Sequence, residues 1–294
     1  MTRPGNPFLV GKNAKVDLFQ PCVMGILNVT PDSFYDGGRY VRREQALAQA
    51  RKMVEEGAAI IDVGGESSRP GAEAITAEEE LERIIPVVER LHTELPVPLS
   101  VDTWKSAVAR EALAAGVDFV NDVGGLWRDP AMVNVVAEAG AGLFIMHARG
   151  TPQEMQQLAE YDDVVSEVMD FLEEKMSLAL AAGIPQERIA LDPGIGFAKN
   201  LQDNLEILGH LRAFRTLQAP LLLGVSRKSF LGTILGHPRP EERLSGTLAA
   251  IALGVAAGVK IFRVHDVKAV RDAVETAWAI CRHGFAPENG GEKE

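Results

Sequence analysis

The sequence predicts an α/β fold, a single-domain (β/α)8 barrel with its active site at the C-terminal ends of the strands. Three observations carry this. Short β-branched runs recur eight times along the chain, at residues 23–27, 60–63, 99–101, 119–120, 143–146, 189–191, 221–225 and 261–264. Most are apolar on consecutive positions, the pattern of strands buried on both faces beneath helices. The stretches between them have helical period and the length of a helix with two loops. A doubly wound open sheet is the alternative, but eight units make a long sheet. No low-complexity linker separates the units, so 1–286 reads as one barrel, followed by a polar, Gly-rich tail over 287–294.

The helices follow in order. Ala46, Leu47, Ala50, Met53 and Val54 form one face, with Gly57 placed to close that helix. Thr76 and Glu79 form a capping box ahead of Leu81, Ile84, Ile85 and Val88, and Pro86 should kink or interrupt that helix. Asp102 or Thr103 could cap the next helix, which ends at Gly116. Residues 162–180 repeat Val, Met, Phe and Leu at helical spacing, and 244–257 is rich in Ala, Gly and Leu, which favours close packing. Val267, Val270, Val274 and Trp278 mark the last helix.

Composition narrows the function. The chain has 294 residues, 46% of them hydrophobic, and a net charge of −11, so general nucleic-acid binding is excluded as a primary role. Two cysteines, Cys22 and Cys281, cannot build a disulfide scaffold or a zinc cage. The N-terminus lacks the apolar stretch of a signal peptide, and the longest apolar run, around 248–259, is too short to span a bilayer. The expected location is cytoplasmic. Nucleotide-binding glycine motifs, zinc-protease motifs and hydrolase elbows do not occur.

The residues just past each strand are informative. Asn28 comes after the first, Asp62 through Gly71 after the second, Asp102 after the third and Asn121-Asp122 after the fourth. His147 and Arg149 come after the fifth, Asp192-Pro193-Gly194 after the sixth, Ser226 to Ser229 after the seventh, and Arg263-Val264-His265-Asp266 after the eighth. A barrel gathers all of these at one rim. Any single one could be a helix cap or a turn residue, but eight at equivalent positions are hard to explain so. Arg69, Lys228, Arg263 and His265, with Ser67, Ser68 and backbone amides near Gly64 and Gly71, suit a phosphate or diphosphate. Asn28 could give one oxygen to a magnesium ion held mainly by phosphate oxygens and water, or could simply stabilise a turn. Asp102, Asn121 and Asp192 could read a flat heterocycle bearing an amino group, or could pair with barrel cations.

These motifs resemble a family. The runs MGILNVTPDSF at 24–34, DVGGESSRPGA at 62–72, SVDT at 100–103, NDV at 121–123, MH at 146–147, LDPGIGF at 191–197, GVSRKS at 224–229 and RVHD at 263–266 occur in the order seen in dihydropteroate synthases of the folate pathway. The resemblance implies a transferase. It would condense 6-hydroxymethyl-7,8-dihydropterin diphosphate with p-aminobenzoate, giving 7,8-dihydropteroate and diphosphate. By motif, Asp102, Asn121, Asp192 and Lys228 bind the pterin, and Arg263 stacks on it opposite Met146. Asn28 holds Mg2+, and Arg263 and His265 hold the diphosphate. Lys228, Arg263 and His265 are thereby the catalytic candidates. Asp36 and Arg69 lie on two closing loops. Phe197, Pro70, Lys228 and Ser229 shape the p-aminobenzoate pocket that sulfonamides occupy. Ser68 stands where the family usually has Thr, which keeps the hydroxyl and loses a methyl. A homodimer is expected from the same resemblance. The rival is a related pterin-binding barrel that passes a methyl group from a methylated folate to a corrinoid protein. It has no diphosphate to hold, and the Ser67-to-Gly71 loop and the Arg263-Val264-His265 end argue against it.

Overall fold

The computed structural model describes residues 8–30, 39–67 and 71–284. Two three-residue strands, β1 (Phe8–Val10) and β2 (Lys15–Asp17), form an antiparallel hairpin. The repeating units come next: β3 (Cys22–Asn28), α1 (Arg39–Glu55), β4 (Ile60–Gly64), α2 (Ala77–Glu94), β5 (Leu99–Asp102), α3 (Ser106–Ala114), β6 (Phe119–Asp122), α4 (Met132–Ala139) and β7 (Gly142–Met146). The second half is α5 (Val164–Ala181), β8 (Ile189–Asp192), α6 (Leu201–Gly209), β9 (Leu222–Leu223), α7 (Ser229–Leu235), α8 (Leu244–Ala257), β10 (Ile261–Val264) and α9 (Val267–Arg282). The eight strands β3 to β10 are all parallel, in the order β8-β7-β6-β5-β4-β3-β10-β9, and a parallel bridge between Leu191 and Leu221 brings the two ends together. The sheet is a nearly closed barrel.

Strand parity decides what faces inward. Val23, Leu27, Ile61, Val63, Val101, Val120, Ile145, Leu191, Leu223 and Val264 belong to the large cluster shared with the helices. Their alternates Met24, Ile60, Phe119, Phe144, Ala190, Leu222 and Ile261 form a separate cluster with Leu9, Val16 and Leu18. The second cluster is the barrel interior, closed from below by the β1–β2 hairpin. The next inward positions along the strands are polar. Side chains alternate with period 2, so Asn28, Asp62, Asp102, Asn121, Met146, Asp192 and Arg263 continue the interior column above the apolar floor.

Two local expectations are corrected. Pro86 does not interrupt α2, which is continuous from Ala77 to Glu94 because Ile84, Val87, Val88 and Leu91 bury one face on both sides of it. Neither Asp102 nor Thr103 caps α3. Its N-cap is Lys105, whose side chain makes no capping bond, and the Ser106 N–H donates instead to Asp129 Oδ2 at 2.8 Å. The Thr76 cap is present, accepting from the Glu79 N–H at 3.2 Å. Gly254 of α8 packs so closely that a Cβ there would lie 2.9 Å from Phe262. No helix of the described residues is long and apolar enough to cross a membrane.

Candidate active site

A guanidinium between carboxylates lies at the centre of the site. Arg263 Nε donates to Asp62 Oδ2 at 2.6 Å and Nη2 donates to Asp102 Oδ2 at 2.5 Å. Burial works against the charge, yet the two carboxylates together hold Arg263 above its ordinary range. Asn121 Nδ2 donates to the same Asp62 oxygen at 3.0 Å. Asp102 is buried, and the loss of solvent raises its carboxyl to about 7 despite Arg263. Asp192 is raised too, by burial, while Lys228 and the Gly194 N–H, which donates to Asp192 Oδ1 at 2.7 Å, pull the other way.

The loop after β9 supplies the second cation. Arg227 adopts φ 60°, which non-glycine residues seldom do. It is held there by a bidentate pair with Asp266, at 2.9 and 2.5 Å, and by a bond from its N–H to Thr247 Oγ1. The next residue, Lys228, donates to the Ile195 carbonyl and sits 4.4 Å from the centre of the Phe197 ring. Burial lowers its ammonium to about 8. Ser229 begins α7 and is exposed. His265, just past β10, places Nδ1 3.0 Å from Ser226 Oγ, which also accepts the His265 N–H. A pocket beside these groups is lined by Asp102, Thr103, Val123, Met155 and Phe197 among others.

The site therefore brings together Asp102, Asn121, Met146, Asp192, Lys228, Arg263 and His265, with Phe197 beside Lys228. Asn28 is half-buried at the end of β3, opposite Gly64. Ser68, Arg69, Pro70 and Asp36 lie outside the described residues. Among the described residues no three His, Cys, Asp or Glu side chains cluster to hold a metal. Only a cation needing a single protein oxygen, with the rest from substrate and water, fits Asn28.

The family model for pterin-binding enzymes matches residues 24–265. A dihydropteroate synthase of Synechocystis sp. is 48% identical over 260 residues, 88% of this chain and 90% of that one. The chain belongs to the dihydropteroate synthase family. A structure of the Xanthomonas albilineans dihydropteroate synthase with 4-aminobenzoic acid is 44% identical, with a TM-score of 0.88, covering 94% of this chain and 98% of that one. Another, with 7,8-dihydropteroate, is 42% identical with a TM-score of 0.85, covering 94% and 99%.

Parity separates members of the family motifs that sequence alone leaves together. Asn121 faces inward, but its neighbour Asp122 turns to the Gly124 and Leu126 N–H groups at 2.8 and 2.7 Å and staples its own loop. His147 is buried against Lys199, with Nδ1 to Nζ at 2.8 Å, and burial with that lysine pushes its pKa down to about 2. Arg149 pairs with Glu167 and lies over Tyr161. Asp62 is the residue that motif reading passes over. Its signal is a carboxylate inside an apolar strand at an inward position.

The carboxyl of Asp102 and the ammonium of Lys228 set a pH window. With the pterin-binding roles that the family motifs imply for Asp102 and Lys228, an ionised acceptor favours binding above about 7 and a charged lysine favours it below about 8. Because kcat/KM reports the free enzyme, its value for the pterin substrate is expected to rise through about pH 7 and fall past about pH 8. These two steps belong to the cluster as a whole. Asp102→Asn should remove the acid limb and Lys228→Met the alkaline limb. A flat profile from pH 6 to 9 in the wild type would contradict this.

Proposed function

We infer that the chain is a transferase of folate biosynthesis that joins 6-hydroxymethyl-7,8-dihydropterin diphosphate to p-aminobenzoate, releasing diphosphate and giving 7,8-dihydropteroate. The observation that carries this reading is the inward column of donors and acceptors above an apolar floor, with cations at its β9 and β10 edge.

The chemistry comes from that division. Asp102, Asn121 and Asp192 present acceptors and an amide to the pterin edge, while Met146 and the Arg263 plane flank its faces. His265 and Arg263 face the diphosphate. The Ser226 hydroxyl that accepts the His265 N–H can donate its proton to Nδ1, leaving Nε2–H as a donor to the anion. The CH2–O bond to diphosphate breaks as the electron-rich dihydropterin shares the developing positive charge. The neutral aryl amine then forms the N–CH2 bond and gives up its proton. Fixed cations stabilise the departing diphosphate without reorganising, and holding the amine against the CH2 supplies the rest. No strong base is required, because the amine attacks neutral and sheds its proton only after the N–CH2 bond has formed. Asn28 would hold a magnesium ion, whose contribution when bound is to neutralise diphosphate charge. Phe197, Lys228 and Ser229, with Pro70, would wall the p-aminobenzoate pocket. Ser68, Asp36 and Arg69 are assigned to substrate binding by motif alone.

The location is proposed to be cytoplasmic. A homodimer through α7, α8 and α9 is also proposed. These neighbouring helices expose the large apolar side chains Ile234, Leu253 and Ile280 at 52%, 67% and 53%.

Lys228 joins the two substrate sites, since it contacts both the Ile195 carbonyl and the Phe197 ring while facing Asp192. Ligands that order Lys228 should therefore order the p-aminobenzoate wall. Calorimetry is expected to show p-aminobenzoate binding at least about 5-fold tighter when magnesium and diphosphate are present, the low end of ordinary site-to-site coupling. Equal affinity with and without them would refute that coupling.

A further inference from the structure

Asp62 is fully buried in β4, faces the barrel interior, and has Ile26 and Ser100 as its register neighbours. Its Oδ2 accepts two bonds, from Arg263 Nε and from Asn121 Nδ2. Its Oδ1 is buried with no hydrogen-bond partner among the described residues. Leaving a buried carboxylate oxygen unpaired costs stability, and an apolar residue at this level would extend the floor formed by Met24, Ile60 and Phe144. Packing therefore gives no reason for an acid here.

We propose that Asp62 is a positioning residue that dictates which edge of the Asn121 amide faces the pterin. An ionised carboxylate is acceptor-only. Turned the other way, the amide would set its oxygen against the Asp62 oxygen. The bond seen at 3.0 Å therefore commits the NH2 of Asn121 to Asp62 and leaves the carbonyl oxygen on the opposite edge, as an acceptor for a ring donor. The same oxygen fixes Arg263. With Nε on Asp62 and Nη2 on Asp102, the guanidinium plane has two anchors and cannot rotate about its own bond. Asp62 thus converts an ambiguous amide into one that selects a heterocycle presenting an exocyclic amino group over one presenting a carbonyl there. It acts through Asn121 and need not touch the ligand.

The inference rests on the pterin reading of the site, and the test separates the two. Wild type, Asp62→Asn and Asn121→Ala are titrated with 6-hydroxymethyl-7,8-dihydropterin and with the analogue whose 2-amino group is replaced by oxygen. Wild type should prefer the amino compound by about 10-fold or more. Asp62→Asn, of the same size but able to donate, lets the Asn121 amide turn over, and the preference should fall to within about 3-fold. Asn121→Ala keeps Asp62 and its bond to Arg263, and it should erase the same preference. A merely structural role for Asp62 would weaken both ligands equally and keep their ratio, and that result would overturn the proposal. Retained preference in Asn121→Ala overturns it whether or not Asp62→Asn folds. Wild-type protein that binds neither ligand overturns the pterin reading itself, and this inference with it.

Discussion

Arg263→Met is expected to abolish most of the condensation activity and to destabilise the fold. The guanidinium is the shared partner of Asp62 and Asp102, both buried. Removing one partner of a buried ion pair typically costs about 3–5 kcal/mol, because the remaining charge is left uncompensated. Here two carboxylates would lose their cation. Part of that loss will be relieved by protonation, since Asp102 already stands at about 7 and would rise further without Arg263. The variant should therefore be more stable at pH 6 than at pH 8 relative to wild type: a carboxyl whose folded pKa is raised favours folding below that pKa and loses the advantage as pH rises through it. Denaturant unfolding at the two pH values measures this. The loss of a preorganised cation at a departing anion typically lowers kcat by about 10²–10³, and the loss of the stacking plane should add to it. A variant with wild-type turnover and unchanged stability would show that Arg263 is an ordinary rim charge.

His265→Ala should divide the two halves of the pterin substrate. The imidazole lies just past β10 and is braced by Ser226 at 3.0 Å. Its brace is thus separate from the Asp62 and Asp102 carboxylates, which Arg263 holds directly. Losing one hydrogen bond to a charged group costs about 1.5–3 kcal/mol, so the diphosphate ester should bind roughly 10- to 150-fold more weakly. The free hydroxymethyl pterin, which carries no phosphate, should bind nearly as before. Paired titrations of wild type and variant provide the comparison. Equal losses for both compounds would remove the diphosphate role from His265 and reopen the methyl-transfer reading.

The barrel is legible because its strands are buried on both faces. Runs such as 60–63, 143–146 and 261–264, apolar but for Asp62 and Arg263, appear as β4, β7 and β10 with shifts of a residue at most. The β1–β2 hairpin is not legible. Its strands are three residues each, too short to show alternation, and they become strands by packing Leu9 and Val16 under Phe119 and Phe144. The seventh barrel strand, expected over 221–225, is reduced to Leu222 and Leu223 with Leu221 bridged to Leu191, and the chain then leaves the sheet and turns at Ser226 and Arg227 into the clamp with Asp266. Pro86 and the start of α3 depart from expectation for one reason: tertiary contacts from buried residues and from Asp129 outweigh the local signal.

In the site, the residue types at the strand ends are legible and their partners are not. Position in a motif does not distinguish Asn121 from Asp122, but inward and outward parity does. Nor does a sequence reveal that Lys199, buried at 2% exposure, finds His147 and the Phe197 carbonyl rather than a carboxylate. Asp62 opens one of the family motifs yet carries no role by motif, since its importance comes from two partners that lie 59 and 201 residues away in the chain.

The most direct test is a single-turnover mixture of the protein with 6-hydroxymethyl-7,8-dihydropterin diphosphate, p-aminobenzoate and magnesium, monitored for both products. The expected result is 7,8-dihydropteroate and diphosphate in equal amounts, with product formation suppressed in Arg263→Met. Tight binding of the dihydropterin diphosphate with no dihydropteroate formed would contradict the proposed transfer, because the site would then recognise the ring without transferring its CH2 group.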